Sequence, residues 1–133
     1  MIKWNFEDKH FGLISELVNI VSPSMDERNM ALHLRNEWSK QGAEVKSDIM
    51  GNVYATMNND ETIHIGLIAH MDTSSDASGA NVQVQLHQGY EGKDIILGKG
   101  NVLNPKDFPE ILNYVGQDII TSDGTTLLGA DDK

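Results

Sequence analysis

The sequence predicts an α/β fold, a mixed sheet with flanking helices. Three observations lead there. Two stretches near the start carry apolar residues at three- and four-residue steps. Two strand-forming segments then flank a Met50-Gly51-Asn52 turn. After them, Ile63-His64-Ile65-Gly66-Leu67-Ile68-Ala69 is almost continuously apolar, a pattern suited to a strand buried on both faces.

Taken in order, Phe11, Ile14, Leu17, Val18 and Val21 predict an amphipathic helix from about Phe6 to Val21. Ser22-Pro23 stops it, because a residue before proline avoids helical backbone angles. Ser24, with Glu27 three residues later, predicts a capping box for a second helix. Met30, Ala31, Leu34 and Trp38 form the buried stripe of that helix, His33 sits partly exposed beside it, and Gly42 suits a left-handed cap. Residues 43–49 and 53–57 read as a hairpin, and Asn58-Asn59-Asp60 turns into the run 63–69. His64, on that run, reads as a hydrogen-bonded core residue.

Beyond Thr73 a polar loop, 74–81, occupies the kind of position that carries functional groups on a rigid scaffold. Val82, Val84 and Leu86 alternate with polar residues as a half-exposed strand. Asp94 to Gly98 is short and apolar. Asn104-Pro105 predicts a short helix limited by Pro109, and 111–115 a helical turn ending at Gly116. Residues 118–121 and 125–128 read as strands across an Asp123-Gly124 turn.

The chain has 133 residues, enough for one ordinary domain, and at 39% hydrophobic it is not of disordered composition. Its net charge of −10 repels phosphate backbones and anionic lipid, which argues against nucleic-acid and membrane partners. With no cysteine, disulfides, thiolate metal sites and cysteine nucleophiles are excluded. The residues from Met1 lack the apolar core of a signal peptide, and no apolar run reaches membrane-spanning length. These features are compatible with a cytoplasmic location.

The chemistry concentrates where apolar runs end. Ile63–Ala69 leads into His70-Met71-Asp72-Thr73, at the strand end where open α/β sheets place ligands. A histidine can ligate zinc through one ring nitrogen while a neighbouring carboxylate orients the ring. Read alone, His-x-Asp is more often a core histidine beside a surface aspartate. A second run, Leu127-Leu128-Gly129-Ala130, delivers Asp131-Asp132, 61 positions after His70 in the case of Asp131. That pair alone reads equally well as a solvated turn. Spacing thus supports a possible metal site with two candidate ligands, His70 and Asp131, short of the three or four protein ligands zinc normally takes.

His70-Met71-Asp72-Thr73 followed at this distance by Thr125-Thr126-Leu127-Leu128-Gly129-Ala130-Asp131-Asp132-Lys133 resembles the peptidase T family of tripeptide aminopeptidases. That family lies within the co-catalytic zinc metallopeptidase clan that includes carboxypeptidase G and aminoacylase. The likeness extends through Gly51 to Thr56, the Ser22-Pro23-Ser24 junction, Asp94 to Gly100 and Gly116 to Ile120. It implies that His70 ligates one zinc, that Asp72 orients and polarises His70 as a catalytic residue, and that Asp131 bridges two zincs. His10, His64 and His87 match no family ligand. The family's Glu-Glu pair, whose first member is the general base, a further acidic ligand and a C-terminal histidine have no counterpart by Lys133.

The expectation is therefore that residues 1–133 form the N-terminal part of a catalytic domain cut short, inactive alone. The parent would use two zinc ions to release the N-terminal residue of a tripeptide. A short peptide is the expected partner, and the family's dimers use parts outside these residues. A dipeptidase, carboxypeptidase or deacylase of the same clan is the near alternative, and a non-catalytic truncated remnant the distant one. A Glu-Glu pair encoded soon after Lys133 would distinguish enzyme from remnant.

Overall fold

A computed structural model of the chain describes residues 8–58, 60, 62–129 and 132. Helix α1 runs Asp8–Val18. Phe11, Ile14, Leu17 and Val18 are half-buried, as their spacing requires. The helix stops three residues short of the predicted Val21. Asn19 ends it, its side-chain amide donating to the Ser15 carbonyl at 2.9 Å and the Val82 carbonyl at 3.2 Å. A residue expected inside the helix instead ties its end to a distant buried position.

Helix α2 runs Arg28–Lys40, with Met30 buried and Ala31, Leu34 and Trp38 half-buried. Gly42 follows at φ 83, in the left-handed region predicted for it. His33 is half-buried, its Nδ1 3.7 Å from Glu16 Oε1 on α1. The predicted capping box does not form. Glu27 occupies the N-cap position without a side-chain cap bond, and its Oε1 accepts from the Met25 amide at 2.7 Å. Ser24, the predicted cap, is engaged elsewhere.

Strands β1 (Glu44–Ser47) and β2 (Val53–Thr56) pair antiparallel, Glu44 opposite Thr56 and Ser47 opposite Val53, and pack against α2. Asp48 closes the turn. It accepts from the amides of Met50 and Asn52 and from the side chains of Asn52 and Tyr54, all within 2.8–3.0 Å. Gly51 supplies φ 91.

Further along, β3 (Gln85–His87) pairs antiparallel with β6 (Ile119–Thr121), and β4 (Ile95–Ile96) with β5 (Val102–Leu103). Short 3-10 segments occupy Gly98–Gly100 and Pro109–Tyr114. Among the described residues parallel pairing occurs at one isolated bridge, Pro23 to Thr73. The α/β class holds, with helices and antiparallel strand pairs distributed as the sequence orders them.

Further expectations change. The run 63–69 is not a strand among the described residues. Ile63, Ile65, Leu67 and Ile68 are 79–101% exposed. A strand exists only through a ladder partner, and among the described residues none of the three two-stranded sheets extends to this run. His64 is correspondingly exposed rather than core. Residues 125–128 form no strand either. Thr125 and Thr126 fold back onto the buried Asp123 carboxylate, and β6 takes β3 as partner. Residues 105–107 make a turn rather than a helix, with Asn104 Oδ1 accepting from the Lys106 amide at 2.8 Å. No helix among the described residues is long and apolar enough to cross a membrane.

Candidate functional site

The site grows from one short crossing of the chain. The Thr73 amide donates to the Ser22 carbonyl at 2.8 Å, and the Ser24 amide donates to the Thr73 carbonyl at 3.1 Å. Thr73 Oγ1 adds a bond to the Ser22 carbonyl at 3.2 Å. Ser22 and Thr73 are both buried, so this crossing is shielded from competing water. It anchors the end of the 63–73 segment to the junction between α1 and α2, and it fixes where His70 and Asp72 lie.

His70 Nδ1 is 2.8 Å from the Asp72 carbonyl oxygen and 3.2 Å from Asp72 Oδ1. Both are acceptors, so a neutral His70 carries its proton on Nδ1, and Nε2 presents the lone pair that could ligate a metal. The other Asp72 oxygen, Oδ2, accepts from Ser24 Oγ at 2.5 Å. The Ser24 hydroxyl, then the amide of Asp72 and the neighbouring His70, hold the Asp72 carboxyl below the usual carboxylate range against the opposing effect of burial.

Asp131 lies outside the described residues. Its neighbour Asp132 is described, and it joins the two motifs. Asp132 Oδ1 accepts from the Ser74 amide at 2.7 Å, and Oδ2 accepts from the Leu128 amide at 3.1 Å. Asp132 is thereby brought to the residue that follows Thr73. Sequence reasoning did not foresee this role for Asp132, and it placed Ser24 in a helix cap. Neither contact leaves a local signal, because the partners are 58 and 48 positions apart.

Among the described residues no group of three or more His, Asp or Glu side chains could hold a metal. The donor chemistry fits one ligand position: an imidazole oriented by a carboxylate, with a second carboxylate pair near in sequence to Leu128. Beside it opens an apolar groove of about 1270 Å³, whose wall includes His70, Met71, Trp38, Ile120 and Leu128.

No family model matches the chain. Individual proteins do. It is 53% identical over 95 residues to peptidase T of Listeria monocytogenes serotype 4a, a match covering 68% of this chain and 23% of that protein. Against peptidase T of Desulfitobacterium hafniense it is 50% identical over 110 residues, 79% of this chain and 27% of the relative. Against peptidase T of Shewanella woodyi it is 44% identical over 125 residues, 90% and 30% respectively. The chain thus spans less than a third of the length of these curated relatives. Over that span the chain, an α/β segment in which Ser74, next to the His70-to-Thr73 motif, bonds Asp132, is homologous to these peptidase T proteins.

Proposed function

We propose that these residues supply the His70, Asp72 and Asp131 portion of a di-zinc aminopeptidase centre that releases the N-terminal residue of tripeptides in the cytoplasm. The observation that supports it most is the Ser74–Asp132 bond, which draws together two motifs that are each weak alone. His70 is the proposed ligand of one zinc through Nε2, Asp72 fixes its ring and proton, and Asp131 is the proposed bridging ligand. Zinc, when bound, supplies an activated water and positive charge for the developing oxyanion. Two proposed ligands fall short of a closed site, so these 133 residues alone are proposed to bind zinc weakly and to hydrolyse nothing.

A chimera tests the reading. With residues 1–133 placed in the matching segment of a peptidase T, tripeptide hydrolysis is expected. His70→Ala or Asp131→Ala in that chimera abolishes turnover and lowers zinc content. Asp72→Ala keeps more metal and loses about 10–100-fold in activity. Wild-type rates in any of the three variants would remove that residue from the site. For the isolated chain, stoichiometric zinc that survives dialysis against a chelator would contradict the ligand count.

A further inference from the structure

We infer that Ser24 is a positioning residue for His70, acting through Asp72: its hydroxyl holds one carboxylate oxygen while the other meets the imidazole. The geometry is a relay of three side chains. Ser24 Oγ lies 2.5 Å from Asp72 Oδ2, and Asp72 Oδ1 lies 3.2 Å from His70 Nδ1. A hydroxyl-to-carboxylate bond of that length belongs to the short, charge-assisted class. With Oδ2 held, the carboxylate cannot rotate away from the ring, and Oδ1 joins the Asp72 carbonyl at 2.8 Å in favouring Nδ1 as the protonated nitrogen.

The backbone around Ser24 is built for this placement. The Asp26 amide donates to the Pro23 carbonyl at 2.8 Å, closing a turn with Ser24 and Met25 at its centre. Met25 sits at φ 75, where such turns take glycine. Its side chain is 95% exposed and gains no packing from that conformation. A strained residue persists where surrounding contacts over-determine it. Here those contacts are the Glu27 carboxylate on the Met25 amide at 2.7 Å and the Ser24–Thr73 crossing. By residue type Ser24 suits a helix cap, and the turn places it elsewhere.

The functional weight of this relay rests on the metal reading of His70, but its test does not. The probe is the nitrogen-15 spectrum of the His70 imidazole in the 133-residue chain at alkaline pH, assigned by comparison with His70→Gln. Wild type is expected to show predominantly the Nδ1–H form. Ser24→Ala should shift that signal toward the Nε2–H form with the helical circular dichroism unchanged, and Ser24→Thr, which keeps the hydroxyl, should restore the wild-type pattern. An unchanged tautomer in a folded Ser24→Ala overturns the inference. If Ser24→Ala does not fold, Ser24→Thr decides alone, and a tautomer unlike wild type there overturns it. Zinc titration of His70→Ala examines the metal reading separately: unaltered zinc binding would sink that reading and leave the Ser24 result standing.

Discussion

Asp123 shows what one buried carboxylate does for this chain. It is 6% exposed, and its Oδ1 accepts from the amides and hydroxyls of both Thr125 and Thr126 at 2.9–3.1 Å. The Thr125 amide foremost, then the threonine hydroxyls and Lys99, hold its carboxyl below the usual range, although burial pushes the other way. The sign follows from linkage. A folded-state value below the unfolded one, about 3.9, stabilises above pH ~4, and that contribution is lost as pH falls further. Urea denaturation should therefore show stability dropping on acidification below about pH 4. Asp123→Ala should cost about 1.5–3 kcal/mol at neutral pH and flatten that drop. An acid profile identical to wild type would assign the dependence to other carboxylates. In sequence, Asp123-Gly124 suggested a hairpin turn. The residue types gave the bend correctly, but two threonines in succession offered the carboxylate four donors, and that local closure displaced the predicted strand 125–128.

At the scale of elements, local pattern was legible and non-local pairing was not. The apolar steps of both helices, the Met50-Gly51-Asn52 turn and the left-handed Gly42 and Gly116 all follow from residue type and short-range sterics. The pairing of β3 with β6 and the crossing of 22–24 with 73 depend on partners far along the chain. The turn Gly98–Gly100 illustrates how close such contacts become. A Cβ on Gly98 would lie 2.7 Å from the Asp123 Cβ and 3.4 Å from its Cα. Because the obstacle includes backbone, Gly98→Ala should destabilise by about 1–3 kcal/mol through overpacking, seen as a lower thermal midpoint. An unchanged midpoint would mean that the two turns separate at no cost.

At the scale of the whole molecule, apolar surface exceeds what these residues cover. Accessible surface is 9963 Å², against about 6,900 Å² expected of a compact monomer of this mass. The buried hydrophobic residues among those described are Met30, Val82, Tyr90 and Ile95. Ile63, Ile65, Leu67 and Ile68 stay open beside the groove, in a segment of high strand propensity without proline. The chain is expected to self-associate with rising concentration in sedimentation velocity despite its charge of −10, and Ile65→Lys with Leu67→Lys should reduce that association. A wild-type monomer with a cooperative thermal transition would show instead that residues 1–133 fold alone. The run 63–69 departs from the strand its pattern predicts for this same reason: an apolar run states that it will be covered, and only the rest of the fold states by what.

The bond from Asp132 to Ser74 is also the outermost rung of a nested series. Inside it lie Gly79 to Thr126, then Gln85 opposite Thr121 and His87 opposite Ile119, then Tyr90 with Gly116 and Gln117. Closing a loop of 58 residues in one step would cost about 3.6 kcal/mol of chain entropy, more than a single hydrogen bond returns. Zipped outward from Tyr90, each closure instead adds only a few residues on either side. The Asp132 rung is then expected to be the last to form and the first to fray. Placement of Asp132 beside Ser74 is therefore expected to be a late event in folding, dependent on a β3–β6 pair that lies inside the loop this bond closes.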